Sequence, residues 1–230
     1  MKKVVLLIFN CVFAITVIMA QDQDQDQEKV GDKFKISFGL NGGYVQNINA
    51  YKLTEDQHGF TYYSINPHYS IGFDAGLFVT NKIRTRLEYR FVQFKYGMNW
   101  SNDYPLFDKT VTTVNNMDLN LHFDYTLFSN KHFHFMASPA FIYEHALKYK
   151  YKNTLADGSS NTKNYNVLSQ QYPVNIAGAN MSIIAKYKIN ENVGITLTPG
   201  YTYFLRNFVL ANDKPYSRIN VNLGLEFLIF

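Results

Sequence analysis

The chain has 230 residues, a formal charge of +4 from 22 Lys and Arg against 18 Asp and Glu, and 17% aromatic residues. So small a charge surplus, with no Lys/Arg cluster, excludes a nucleic-acid binder, and the lone Cys11 excludes a disulfide framework. The aromatics are 19 Phe and 18 Tyr against one Trp, a composition suited to rings at a membrane interface.

Residues 1–20 read as a cleaved signal peptide. Lys2 and Lys3 precede an apolar run over 4–18, and Ile18-Met19-Ala20 offers a small residue before a cut at Gln21. The run is shorter than the roughly 20 residues of a spanning helix, and a polar tract follows at once. Cleavage removes Cys11, Lys2 and Lys3 and no acid, so the charge falls from +4 to +2. Residues 21–32 begin with alternating Gln and Asp, too polar to pack, and are expected to be a disordered periplasmic tail.

From residue 33 to 230 the pattern has period two, which predicts eight strands at 33–46, 69–79, 83–96, 114–127, 133–144, 173–187, 193–203 and 217–230. The fourth is the cleanest, with Met117, Leu119, Leu121, Phe123 and Tyr125 alternating with Asn116, Asp118, Asn120, His122 and Asp124. Short polar turns at Thr80-Asn81-Lys82, Ser129-Asn130-Lys131 and Asn190-Glu191-Asn192 alternate with long connections at 47–68, 97–113, 147–171 and 206–216. The alternation changes phase near Val92, which suggests a bulge or the strand leaving the membrane, and slips again near Gly178-Ala179. Bulges are also expected at Pro139 and Pro199, each of which lacks a ladder donor.

A soluble barrel has the same period with its faces inverted. Here one face carries Arg86, Glu88, Arg90, Asp118, His122, Asp124 and Lys186, as a narrow polar lumen requires. On the other face aromatic residues gather toward two rims, Phe34, Phe133, Tyr187 and Phe227 at one and Tyr44, Tyr69, Tyr143 and Tyr201 at the other. Two such girdles mark the interfaces of a spanning barrel. The expected fold is therefore all-β: an eight-stranded antiparallel up-and-down transmembrane β-barrel in the cell outer membrane, with both ends periplasmic.

The second hairpin, Gly72-Phe73-Asp74-Ala75-Gly76-Leu77-Phe78 through Leu87-Glu88-Tyr89-Arg90-Phe91, and the closing Asn222-Leu223-Gly224-Leu225-Glu226-Phe227-Leu228-Ile229-Phe230 resemble the small outer-membrane β-barrels of Gram-negative bacteria, particularly PorT-like and porin-family eight-stranded domains. The resemblance implies insertion by the barrel assembly machinery and a place in an envelope or secretion assembly, and it carries no catalytic residues. One departure stands out. Alternate residues counted back from Phe230 meet Glu226 and Asn222, so the apolar set Val221, Leu223, Leu225, Phe227 and Ile229 is one residue out of step unless a bulge near Leu228 restores it.

The inward charges Asp74, Arg86, Glu88, Arg90, His122, Asp124, His134, Lys186 and Glu226 form the strongest constellation. Hairpin geometry brings Asp74 near Arg86, Glu88 or Arg90, and sets Asp124 opposite or diagonal to His134 with His122 one step higher. Closure brings Glu226 toward Lys35. Buried charges must be paired or hydrated, so the set reads as a plug of paired side chains. A gate over a narrow pore for small solutes is the transport alternative. The enzymatic alternatives are a metal or base site at His122, His134 and Asp124, and a lipid-modifying group at the outer rim near His68, Ser70, Glu144 and His145. No nucleophile accompanies the first and nothing fixes the geometry of the second, so no catalytic residue, metal or cofactor is expected. The long loops, such as Tyr149-Lys150-Tyr151-Lys152-Asn153, are expected to face lipopolysaccharide and lipid, with protein partners reaching the barrel through them.

Overall fold

The computed structural model describes residues 35–48, 61–99, 107–166, 175–205 and 215–229. The expected signal peptide and tail, Phe34 and Phe230 lie outside the described residues. Nine strands are present: β1 Ile36–Ile48, β2 Thr61–Phe78, β3 Ile83–Asn99, β4 Phe107–Ser129, β5 Phe133–Leu155, β6 Ser160–Asn166, β7 Asn175–Lys188, β8 Val193–Phe204 and β9 Tyr216–Ile229. Eight of them close a ring in the order β4-β3-β2-β1-β9-β8-β7-β5, completed by β4 against β5, while β6 pairs with β5 outside it. Every pairing is antiparallel. The ring is the expected eight-stranded barrel, and closure leaves it no edge.

The three short turns share one device. Thr80 Oγ1 accepts hydrogen bonds from the backbone N–H groups of Lys82 and Ile83, at 3.2 and 3.0 Å. Asn130 Oδ1 does the same for His132 and Phe133, and Asn190 Oδ1 for Asn192 and Val193. A short polar side chain thus replaces the ladder where the chain reverses. These turns define one end of the barrel, the turn end; the long connections define the loop end.

Four irregularities suggested by the sequence resolve as follows, two as corrections, at Gly178 and at the prolines, and two as a choice between alternatives, at Val92 and Leu228. No bulge occurs near Val92, because β3 keeps register with β4 from Ile83↔Tyr125 to Asn99↔Lys109. What changes there is the chemistry of the inner face, which turns apolar with Val92, Phe94 and Tyr96. Nor does β7 slip at Gly178, which continues the inward series Ile176, Asn180, Ser182 while β7 stays in step with β5. Pro139 and Pro199 interrupt pairing on one side only and without shifting it: Pro139 leaves a gap against β4 and Pro199 one against β7, while Pro139↔Met181 and Pro199↔Val221 lie in continuous ladders. Finally, β1 and β9 stay in register from Ile48↔Ser217 to Ile36↔Ile229, with no bulge near Leu228, so Val221, Leu223, Leu225, Phe227 and Ile229 all face outward.

Much of what the sequence offers as long loop is sheet. β2, β3, β4 and β5 run past the barrel at the loop end, and β6 adds to β5 from Lys148↔Asn166 to Thr154↔Ser160. The flap they form has its own turn, in which Gly158 adopts φ 81° and Asp157 Oδ1 accepts from the Ser159 N–H at 2.8 Å. Real irregularities lie between Ile65 and Tyr69 of β2, between Phe107 and Lys109 and between Thr126 and Phe128 of β4, and at Leu147 of β5, where Asn115↔Lys148 is followed by Asn116↔Ala146.

The outer wall is apolar. Leu40, Ile71, Phe73, Leu87, Leu121, Ile183, Leu197, Leu223 and Leu225 are all exposed on it. In water this continuous surface would far exceed the few hundred Å² that a soluble monomer leaves bare. In lipid it is the required solvent contact, because a closed barrel satisfies its backbone internally. Of the expected girdles, Phe133, Tyr187 and Phe227 are exposed near the turn end and Tyr69, Tyr143 and Tyr201 near the loop end; Tyr44 is half-buried and donates to Gln46 Oε1 at 3.1 Å.

Candidate functional site

The site is the barrel interior, which has two storeys. Near the turn end, β3 supplies Arg84, Arg86 and Glu88 from successive inward positions, and its neighbours supply the counter-charges. Arg84 donates to Asp124 on β4 and to Glu226 on β9, both at 2.7 Å. Arg86 reaches Asp124 at 3.2 Å and Asp74 on β2 at 3.4 Å. Lys186 on β7 donates to Glu226 Oε1 at 2.5 Å. Five strands of the ring are tied together by these bonds, and all the side chains involved are buried.

Half-way up, Arg90 and Arg218 share Asp118, at 3.2 and 3.0 Å. Arg218, fully buried on β9, also donates to Glu144 of β5 and, at 3.1 Å, to Asn47 of β1. Tyr216 donates its hydroxyl to Glu144 at 2.9 Å. Between the two ionic groups remains a polar space lined by Asn41, Asn120, Asn180 and Asn222.

Above Arg218 the interior becomes apolar. Its guanidinium lies 4.7 Å over the Phe204 ring, which stacks on Tyr216 at 4.5 Å. With Val45, Val92, Phe94, Val114, Ala146, Tyr149 and Ile176 these rings form the one hydrophobic cluster of the described interior. The bulge at Leu147 contributes directly: it reverses the phase of β5, turning Tyr149 inward and Lys148 and Lys150 outward.

The expected charge network is thus largely assembled. Asp74, Arg86, Glu88, Arg90, His122, Asp124, Lys186 and Glu226 are all buried inside. His134 is not brought into it. The Ser129↔His134 register places it at the turn-end mouth, where its Nε2 lies 3.3 Å from Ser129 Oγ, and Asp124 bonds Ser138 instead, at 2.6 Å. Glu226 takes its ion partners from Arg84 and Lys186 rather than from β1. Sequence reading missed Arg84, Ser138 and Arg218. The signal for the first and last was present: Arg84 shares the period-two face of Arg86, and Arg218 that of Asn220, Asn222 and Glu226.

One arrangement superficially resembles a hydrolase triad. His122 Nδ1 lies 2.9 Å from Ser138 Oγ, and its Nε2 lies 3.1 Å from Glu88 Oε2. The roles do not follow. Ser138 donates its hydrogen to Asp124 rather than to His122, so the imidazole is not placed to accept it. Ser138 is also fully buried among ion pairs, with no space beside it for a carbonyl. The described interior holds six carboxylates, Asp74, Glu88, Asp118, Asp124, Glu144 and Glu226, against five cations, Arg84, Arg86, Arg90, Lys186 and Arg218.

No family model matches the chain, and no curated protein matches it either. Among solved structures it is similar to Neisserial surface protein A (NspA), with 13% identity over 84% of this chain and 96% of that one at a TM-score of 0.45. It is similar to Ail, the attachment invasion locus protein of Yersinia pestis, in complex with sucrose octasulfate: 13% identity, 85% and 97% covered, TM-score 0.41. The N-terminal β-barrel domain of Pseudomonas aeruginosa OprF gives 12% identity, 84% and 97%, and 0.41. At these values the likeness is one of overall shape. The closing β1–β9 register and the apolar outer wall carry the assignment by themselves: the architecture is an eight-stranded transmembrane β-barrel of the outer-membrane type.

Proposed function

We propose that the protein is an integral outer-membrane barrel that neither conducts nor catalyses, and that it serves as a structural or interaction component at the cell surface. The observation that supports this is the filled interior. A path along the axis meets two layers of mutually paired buried charges and then a layer of close-packed rings. A solute would have to break buried ion pairs and also displace Phe94 and Phe204. What remains for function is the loop-end flap, a sheet rich in Tyr, Lys, Asn and Thr that extends beyond the apolar wall. Such side chains suit adaptable polar contacts. An attachment to a larger envelope or secretion assembly, as the PorT-like resemblance implies, would use this surface.

Single-channel recording of the refolded protein in planar bilayers tests the reading: a baseline without discrete steps is expected, and reproducible steps above leak would overturn it in favour of a narrow pore. Mass spectra of lipid A from cells with and without expression address catalysis. They are expected to be identical, and a new lipid species would replace the non-catalytic reading with a lipid-modifying enzyme.

A further inference from the structure

The β-bulge at Leu147 sorts the alternating tyrosines and lysines of β5 onto opposite faces. Below it, Tyr143, His145 and Leu147 face outward and Glu144 and Ala146 inward; above it, Tyr149 is buried while Lys148, Lys150 and Lys152 are exposed on the outside. Across the flap the registers set Lys148 in a row with Asn115 and Gln93, Lys150 with Thr113 and Lys95, and Lys152 with Val111 and Gly97. Gln93 and Asn115 bond each other at 2.9 Å. None of these paired rows contains a carboxylate, and none of the four lysines is in an ion pair among the described residues.

Their height matters as much as their charge. The row directly below, Phe91, Met117 and His145, ends the apolar wall in this sector, and Leu147 is its last exposed apolar side chain on β5. Rows on one face of a strand are about 6.7 Å apart, so with the usual barrel tilt of ~35–45° the lysine rows stand roughly 5–15 Å above the wall. That is the level of lipid head groups. Lys95 and Lys150, two strands apart, are separated by about 9.5 Å, and Lys148, Lys150 and Lys152 follow each other at about 6.7 Å, with Thr113 and Asn115 between them as neutral donors. An array of ammonium groups at this spacing matches a head group that carries more than one phosphate.

We propose that the outward face of β3, β4 and β5 above Leu147, carrying Lys95, Lys148, Lys150 and Lys152, binds the phosphates of a phosphorylated glycolipid in the surrounding outer leaflet. The inference rests on the membrane reading given above and adds to it a site and a ligand class. It also assigns a role to the bulge. An unbulged β5 would point Lys148, Lys150 and Lys152 into the barrel and its tyrosines at the lipid.

The test uses the full-length mature protein refolded into detergent micelles, with diphosphoryl lipid A as the probe and native mass spectrometry as the readout. Diphosphoryl lipid A is expected to remain bound through detergent exchange, in preference to monophosphoryl lipid A. The K95Q/K148Q/K150Q/K152Q variant should weaken retention on the order of a thousandfold, given what a basic side chain contributes at an anionic surface. A K82Q/K131Q variant, with substitutions at the turn end, should retain lipid A as the parent does. Equal retention by the quadruple variant would overturn the proposal, as would displacement of lipid A by millimolar inorganic phosphate, which would mark a site for soluble anions. Gel mobility of unheated samples separates the two readings: loss of the compact form in the parent counts against the barrel itself, and its preservation in every variant assigns lost retention to the lysines.

Discussion

The turn-end and loop-end halves of the interior solve the same problem with opposite chemistry. Both must fill a narrow cylinder whose outer surface gains nothing from burying apolar groups, because lipid already surrounds it. The turn-end half does so with Arg84, Arg86, Asp124, Lys186 and Glu226, each bond joining different strands. The loop-end half does so with Phe94, Val114, Phe204 and Tyr216, packed as in the core of a soluble domain. The ionic half is directional and specifies which strand lies beside which. The apolar half is indifferent to direction and excludes water. Arg218 belongs to both, through Asp118 and Glu144 on one side and the Phe204 ring on the other.

Substitutions on either side of that divide test it. Arg218→Ala should be the most damaging, because it leaves Asp118 and Glu144 buried with reduced compensation and uncovers Phe204. A loss of about 4–5 kcal/mol is expected in urea unfolding from phospholipid vesicles. Phe94→Ala should cost about 3–4 kcal/mol by opening a cavity in the upper storey. It should leave bilayer recordings silent, because the ionic layers still close the path; steps in this variant would show that the rings alone form the seal. Gly43→Ala places a Cβ 2.2 Å from the Val221 carbonyl oxygen, so the backbone must shift, and a loss of about 1–3 kcal/mol is expected in the same assay. His134→Ala, at the turn-end mouth beside Ser129 and opposite Lys186, should change stability by less than about 0.5 kcal/mol. A loss comparable to that of Arg218→Ala would mean that the ionic storey extends to the turns.

Much of the barrel is legible in the sequence because lipid and lumen impose opposite demands on alternate residues. The strands in the membrane, their order and their inward charges follow from that alone. The reading fails where the demands coincide. At Val92 and Phe94 the inner face is as apolar as the outer one, so the alternation fades and imitates a change of phase. In β7 the small Ala177, Gly178 and Ala179 blur the two faces in the same way. Beyond the membrane both faces of the flap meet water or polar neighbours, so Val111-Thr112-Thr113 and Ser160-Asn161-Thr162 lack the signal of a strand although they form one. Arg218 is hidden for another reason. A single arginine near a strand end reads as a surface charge until the register sets it beside Asp118 and Glu144.

The glycines of β1 have a consequence for how the ring is completed. Gly43 stands between Ser70 on β2 and Asn222 on β9, and Gly39 between Asp74 and Glu226. With no side chain on β1 at Gly43, Ser70 reaches Asn222 directly, at 3.1 Å. Arg84 of β3 likewise reaches past β1 to Glu226. The first and last strands are the most distant in sequence, so their pairing is the contact with the highest loop-closure cost and forms late. When β1 and β9 meet, their own ladder and the Arg218–Asn47 bond are reinforced by side chains of β2 and β3. The last step of folding is therefore a fit between two prepared walls, and its timing depends on the stretch of chain with the least side chain to offer.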